Sequence, residues 1–181
     1  AITIADGLLE ADADSVESMS LKAFALLQQS KHDEAGALLD QALELRPNYL
    51  TALRYRARLR ELRGDRPGAL ADLRQIWKLS GNPQAALSLA GVHSRAGDMD
   101  RARDVCLEVL SVTEGHLPTT DFLRRLYMTD KRWIALEDLL ARTLQRYPKV
   151  PGVRVWLAEM YRGMHQDAKS LDLLGKAIAE F

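Results

Sequence analysis

A spacing of 33 or 34 residues runs through this sequence and constrains its fold more than any other feature. Between His32 and Asn48, the residues Ala35, Leu39, Ala42 and Pro47 set a frame: small, large four later, small three after that, then a proline five further on. The frame returns as Ala69, Leu73, Ile76 and Gly81, and again as Ala102, Cys106, Val109 and Glu114. It continues as Leu136, Leu140, Thr143 and Pro148, and closes with Ser170, Leu174 and Ala177. A second series lies twelve residues before each frame: Ala23, Ala57, Ala90, Arg124 and Ala158, separated by 34, 33, 34 and 34 residues. Self-similarity at such a period is the mark of stacked repeats, in which each unit buries its apolar face against its neighbours.

Each unit reads as two helices. Alanine, leucine, arginine and glutamate dominate, and the β-branched and aromatic residues of strands are sparse. Gly64-Asp65 and Gly97-Asp98 fall midway between the two series. There a glycine can end one helix in a left-handed conformation and an aspartate can cap the next. Small residues at the frame positions let the two helices approach closely, and the large residue between them fills the space toward the next unit.

This spacing and these residues resemble the tetratricopeptide repeat over nearly the whole chain. The resemblance implies an all-α, right-handed solenoid of antiparallel helix pairs, about eleven helices with no strands. The expected repeats are 16–49, 50–82, 83–116, 117–150 and 151–181, forming a single array over 1–181. Ala1, Ala5, Leu8 and Ala13 fit the second helix of a preceding repeat over residues 1–15. The sequence therefore reads as a piece cut from a longer array, and its two ends are expected to present uncovered apolar faces that associate end to end. The frame departs from small residues at Ile76, Arg124 and Leu136, and the adjacent Ala135 leaves the register of the fourth repeat open by one residue.

In tetratricopeptide-repeat proteins the first helices line a concave groove where ligands dock. The resemblance places Ser20 and Phe24 there, then Arg54, Tyr55, Arg58 and Glu61, then Ser88 and Arg95. It adds Asp121, Phe122, Arg125 and Met128 from the fourth repeat, and Trp156, Glu159 and Arg162 from the fifth. Six arginines stand between Arg54 and Arg66. Arg54 and Arg58 are one turn apart and share a face. Arginine forks grip carboxylates in two-point contacts, and arginine and aromatics are enriched at binding hot spots. The surface thus suits a peptide with acidic and apolar side chains. The plainer reading is a solvated charged helix face, and Arg56, Arg60 and Arg63, which point elsewhere, are assigned to it. The two-lysine, two-asparagine clamp by which some such repeats hold chaperone carboxyl termini is missing, since Ser20, Phe24 and Tyr55 occupy the matching places.

Charge and chemistry narrow the function further. Twenty-five basic and 25 acidic residues cancel, so the whole chain exerts no long-range pull on nucleic acid or an anionic membrane. The single cysteine, Cys106, permits no internal disulfide and sits at a large-residue position of the frame, as a small buried apolar group would. His32, His93, His116 and His165 show no metal-ligand spacing, and there is no phosphate-cradling loop or nucleophile elbow. Glu137 and Asp138 are expected to face water, and Trp77 and Trp133 to fill gaps between repeats. No apolar run is long enough to span a bilayer. The leading expectation is a non-catalytic scaffold for protein–protein interaction, with no cofactor and no metal. Its 18 arginines against 7 lysines and its alanine content point to a bacterium. Similar arrays serve in cell-envelope and polysaccharide-export assemblies, so both periplasm and cytoplasm fit. Two alternatives stand beside it: a helical repeat that reads RNA through the arginine-rich second unit, and a regulatory module of an enzyme whose catalytic domain lies outside this chain.

Overall fold

The computed structural model describes residues 15–179. Among them are ten α-helices and no strand, so the all-α reading holds. In chain order they are α1 (Val16–Gln28), α2 (His32–Leu45), α3 (Leu50–Leu62), α4 (Arg66–Ser80), α5 (Pro83–Arg95), α6 (Met99–Val112), α7 (Leu117–Thr129), α8 (Trp133–Arg146), α9 (Pro151–Gly163) and α10 (Asp167–Ala179). The odd-numbered helices and the even-numbered helices each begin at intervals of 34, 33, 34 and 34 residues. The eleventh helix, expected around Ala1, Ala5, Leu8 and Ala13, lies outside the described residues, as does Phe181.

Helix starts follow local chemistry. Side chains of Ser15, Asp65, Asn82 and Asp98 accept hydrogen bonds from the otherwise orphaned first-turn amides of α1, α4, α5 and α6. Such a cap contributes about 1 kcal/mol. Pro83 and Pro151 open α5 and α9, where a missing N–H costs nothing. Between the helices of each pair the chain passes through one left-handed residue: Ser30, Gly64, Gly97, Lys131 and His165, with φ of 59°, 77°, 81°, 54° and 59°. After Ser30, Gly64, Lys131 and His165 the next residue donates its N–H five residues back: Lys31 to Leu26, Asp65 to Arg60, Arg132 to Tyr127 and Gln166 to Tyr161. These bonds satisfy carbonyls at the helix ends.

The described residues divide into two compact units, one ending at Ala96 and the other beginning at Gly97. In the first, α1 packs on α2 and α3, α3 on α4, and α4 on α5. Ala23, Ala35, Ala57 and Ala69 are buried, and Met19, Leu39 and Leu53 fill the space around them. Each such large side chain contributes about 1.5–3 kcal/mol when fully buried. In the second unit, α6 packs on α7, α7 on α8, α8 on α9, and α9 on α10. Ser170 takes the small-residue place in α10, and its hydroxyl donates to the Ala158 carbonyl of α9 at 2.8 Å, a direct measure of how closely those helices cross. Leu136 is fully buried while Ala135 is half-buried, which resolves the register of the fourth repeat in favour of Leu136. Trp77 is buried, and the Trp133 ring lies against the end of α9, where a Cβ on Gly163 would come within 3.0 Å of it.

Candidate partner-binding surface

In the first unit, the outward residues of α1, α3 and α5 build one surface. Phe24 and Tyr55 stack with centroids 5.1 Å apart and planes at 25°. The Arg54 guanidinium lies 5.5 Å from the Tyr55 ring centre, so the aromatic pair carries a cation on its flank. Glu61 is bound by Arg95 of α5 at 2.5 Å and approached by Arg58 at 3.7 Å. Two arginines thus share one carboxylate, and Arg58 keeps 64% of its side chain exposed. Ser88 is exposed, with its hydroxyl returned to the Gln84 carbonyl of its own helix at 3.1 Å. Ser20 departs from expectation. It is buried, and its hydroxyl donates to the Val16 carbonyl at 2.7 Å, because it lies on the same helix face as Val16 and Ala23.

The neighbouring arginines are not the solvated face expected of them. Arg56 grips Asp72 of α4 in a two-point contact at 2.9 and 3.1 Å and also reaches Asp40 of α2 at 3.0 Å. Arg60 donates to the same Asp72 at 2.7 Å and to the Gly68 carbonyl at 3.1 Å. Asp72 is 2% exposed. Burial works against the charge on Arg56, but its hydrogen bonds to Asp72 and Asp40 outweigh it and hold the guanidinium above its ordinary pKa. Only Arg63 is close to the plain reading, half-exposed and paired with the exposed Asp33 at 2.5 Å.

In the second unit, Asp121, Phe122, Arg124, Arg125 and Met128 stand on α7, and Trp156, Glu159 and Arg162 on α9. Arg125 is 63% exposed, pairs with Asp121 at 2.9 Å, and lies 5.8 Å from the Phe122 ring centre. The residue that joins the two helices is Arg124. It donates to Asp121 at 2.8 Å and to Glu159 at 2.8 Å, and covers the Trp156 ring at 5.4 Å. The sequence marked Arg124 only as a departure from a small residue. Its spacing of 35 residues from Glu159, about one repeat, was the available signal of a bridge between successive first helices. Arg162 is exposed and Met128 half-buried.

Elsewhere, burial pushes the Cys106 thiol up to about 12. His93, on α5, is buried. Glu137 does not simply face water, since it accepts a hydrogen bond from the Tyr161 hydroxyl at 2.6 Å, which raises the pKa of that phenol. Asp138 pairs with Arg142 on the surface at 2.5 Å. No helix among the described residues is long and apolar enough to cross a membrane, and none of their His, Cys, Asp and Glu side chains group in threes that could hold a metal ion.

No family model matches the sequence, and no curated protein matches it either. Solved structures do. The chain is similar to YrrB, described as a tetratricopeptide-repeat protein with an unusual peptide-binding site, at a TM-score of 0.66 and 15% identity, covering 99% of this chain and 93% of that one. It is similar to MamA at 0.69 and 13%, covering 93% and 92%. It is also similar to a chain of the Cut9–Hcn1 hetero-tetramer of APC/C at 0.64 and 13%, covering 98% of this chain and 36% of that one. The fold is therefore that of tetratricopeptide-repeat proteins.

Proposed function

We propose that this chain is a non-catalytic interaction scaffold whose first-helix faces hold a segment of a partner protein. The observation that carries the reading is the aromatic–arginine surface: Phe24 stacked on Tyr55 beside Arg54 and Arg58 in one unit, and Phe122 beside Arg125 in the other. Stacked rings have already lost much of their rotamer freedom, so docking onto them costs less ordering entropy. Exposed guanidiniums beside them favour a segment that mixes apolar and acidic side chains. YrrB, of the same fold, has a peptide-binding site, and Cut9 assembles with Hcn1, which supports this reading. The RNA alternative loses ground, because Arg56 and Arg60 are engaged by Asp72 and the overall charge is zero. A bacterial envelope or export assembly is the proposed setting.

The test is photo-crosslinking in the source cell from a reactive amino acid placed at Tyr55 or Phe122, with the exposed Arg74 on α4 as control. The expected result is one protein captured from positions 55 and 122 and not from 74. With that protein in hand, Trp156→Ala should weaken binding by about 2 kcal/mol at any salt, because it removes both the ring and the support of Arg124. Arg58→Ala should act mainly at low salt, as exposed charges do. Capture from position 74 alone would place the interface on the second helices and overturn the reading.

A further inference from the structure

A cleft of about 630 Å³ opens in the second unit, between the C-terminal halves of α6 and α8. Its walls are Leu107 and Leu110 of α6 and Leu139, Arg142 and Arg146 of α8, and Thr120 of α7 also lines it. Phe122 and Arg125 do not, so this is a different surface from the one above. We propose that this cleft is a second docking site, for a partner segment that places a large apolar side chain between the leucines and a carboxylate against the arginines.

Four features of the cleft lead there. The volume falls within the range of sites that bind small ligands, and Leu107 leaves 46% of its surface exposed at the mouth. Thr120, beside the cleft, is fully buried, and the protein alone leaves its hydroxyl without a hydrogen-bond partner. The lining holds two guanidiniums and only one carboxylate, Glu114, and that carboxylate is bound to Arg146 at 2.9 Å. Arg142 pairs with Asp138 through an exposed contact along its own helix, with side chains 70% and 62% exposed. Such pairs contribute little, so an incoming carboxylate can replace Asp138.

The positive wall is also built in place. The Glu114-Gly115 turn runs under the Arg146 stem, where a Cβ on Gly115 would stand 2.6 Å from Arg146 Cδ and 2.9 Å from Tyr147 Cε2. Gly115 has φ of 73°, so both conformation and space call for glycine there. The close seat on Gly115 holds the Arg146 stem at the edge of the cleft.

The test is a nuclear magnetic resonance titration of the ¹⁵N-labelled chain with a set of capped hexapeptides. In each, Leu, Ile, Phe or Met is followed one or two residues later by Asp or Glu. The expected result is that members of the set shift amides within 107–115 and 139–146. Leu107→Glu should abolish those shifts, and its exposed position leaves the core intact. Exchanging the peptide carboxylate for its amide, or Arg142→Gln, should weaken binding roughly tenfold at low salt and less at high salt. No binding by any peptide of the set would overturn the proposal, as would equal binding of the acid and amide forms. Shifts confined to 121–125 or 156–162 would overturn it while sustaining the first-helix reading; shifts at the cleft leave that reading untouched.

Discussion

Lys131 adopts a left-handed backbone at φ 54°, where a β-carbon crowds the following carbonyl. The same position of the repeat holds Gly64 and Gly97 in other units, and Ser30 and His165 in the remaining two. The two glycines were legible in the sequence because glycine followed by aspartate signals a turn. The other three were not, because a left-handed residue costs only about 1 kcal/mol outside glycine and the surrounding hydrogen bonds can impose it. A direct test follows. Lys131→Gly should stabilise the chain by about 0.5–1 kcal/mol, and Gly64→Ala should destabilise it by about 1 kcal/mol or more. Urea unfolding followed by circular dichroism measures both. A Lys131→Gly variant no more stable than the parent would mean that the residue 131 turn is held at no cost. Arg56 and Arg60 carry a similar lesson about legibility. Their carboxylate partner, Asp72, is 16 and 12 residues away on the paired helix, so no reading of α3 alone could distinguish them from solvated charges.

Helix pairs were the most legible level, because the small-residue frame states where two helices cross. The buried Ala23, Ala35, Ala57 and Ala69 occupy the places the frame assigned, and Ser170 shows how such a crossing tolerates a hydroxyl that finds a carbonyl. Arg124 was opaque for the opposite reason. A long side chain at a small-residue place reads as a defect until its partners on α9, Glu159 and Trp156, are seen, and both sit in the next repeat. The crossing itself can be tested at Ala57, which is 2% exposed. Ala57→Leu adds three carbons where α3 meets α4, and overpacking of this kind costs about 1–3 kcal/mol. Gln41→Leu, on the exposed side of α2, should change stability by less than about 0.5 kcal/mol. Urea midpoints measured side by side check the pair. Equal midpoints would show that the alanine series does not mark the crossings.

At the scale of the whole molecule, two compact units share one sequence period, and their ionisable groups are unevenly placed. The second unit holds Cys106, Tyr127 and Tyr161, each with a pKa raised above its ordinary value: the thiol and Tyr127 by burial, and Tyr161 first by its bond to Glu137. The sign follows from which state keeps the proton. Above pH 9.0, the ordinary thiol value, the unfolded chain releases the Cys106 proton while the folded unit keeps it up to about 12. Folding is therefore fully supported below pH 9.0 and loses support as pH climbs toward 12, by at most about 1.4 kcal/mol per pH unit for one thiol. The two phenols act in the same direction from their ordinary value of 10.0 upward. A Trp77→Phe chain leaves Trp133 and Trp156 as reporters of residues 97–181. Its urea midpoint, read by fluorescence, should fall between pH 8 and pH 10. Adding Cys106→Ala should lower the midpoint at pH 8, since a small cavity opens at a fully buried site, but should flatten the decline up to pH 10. An unchanged decline in the alanine variant would show that burial of the thiol does not set the alkaline limit of this unit.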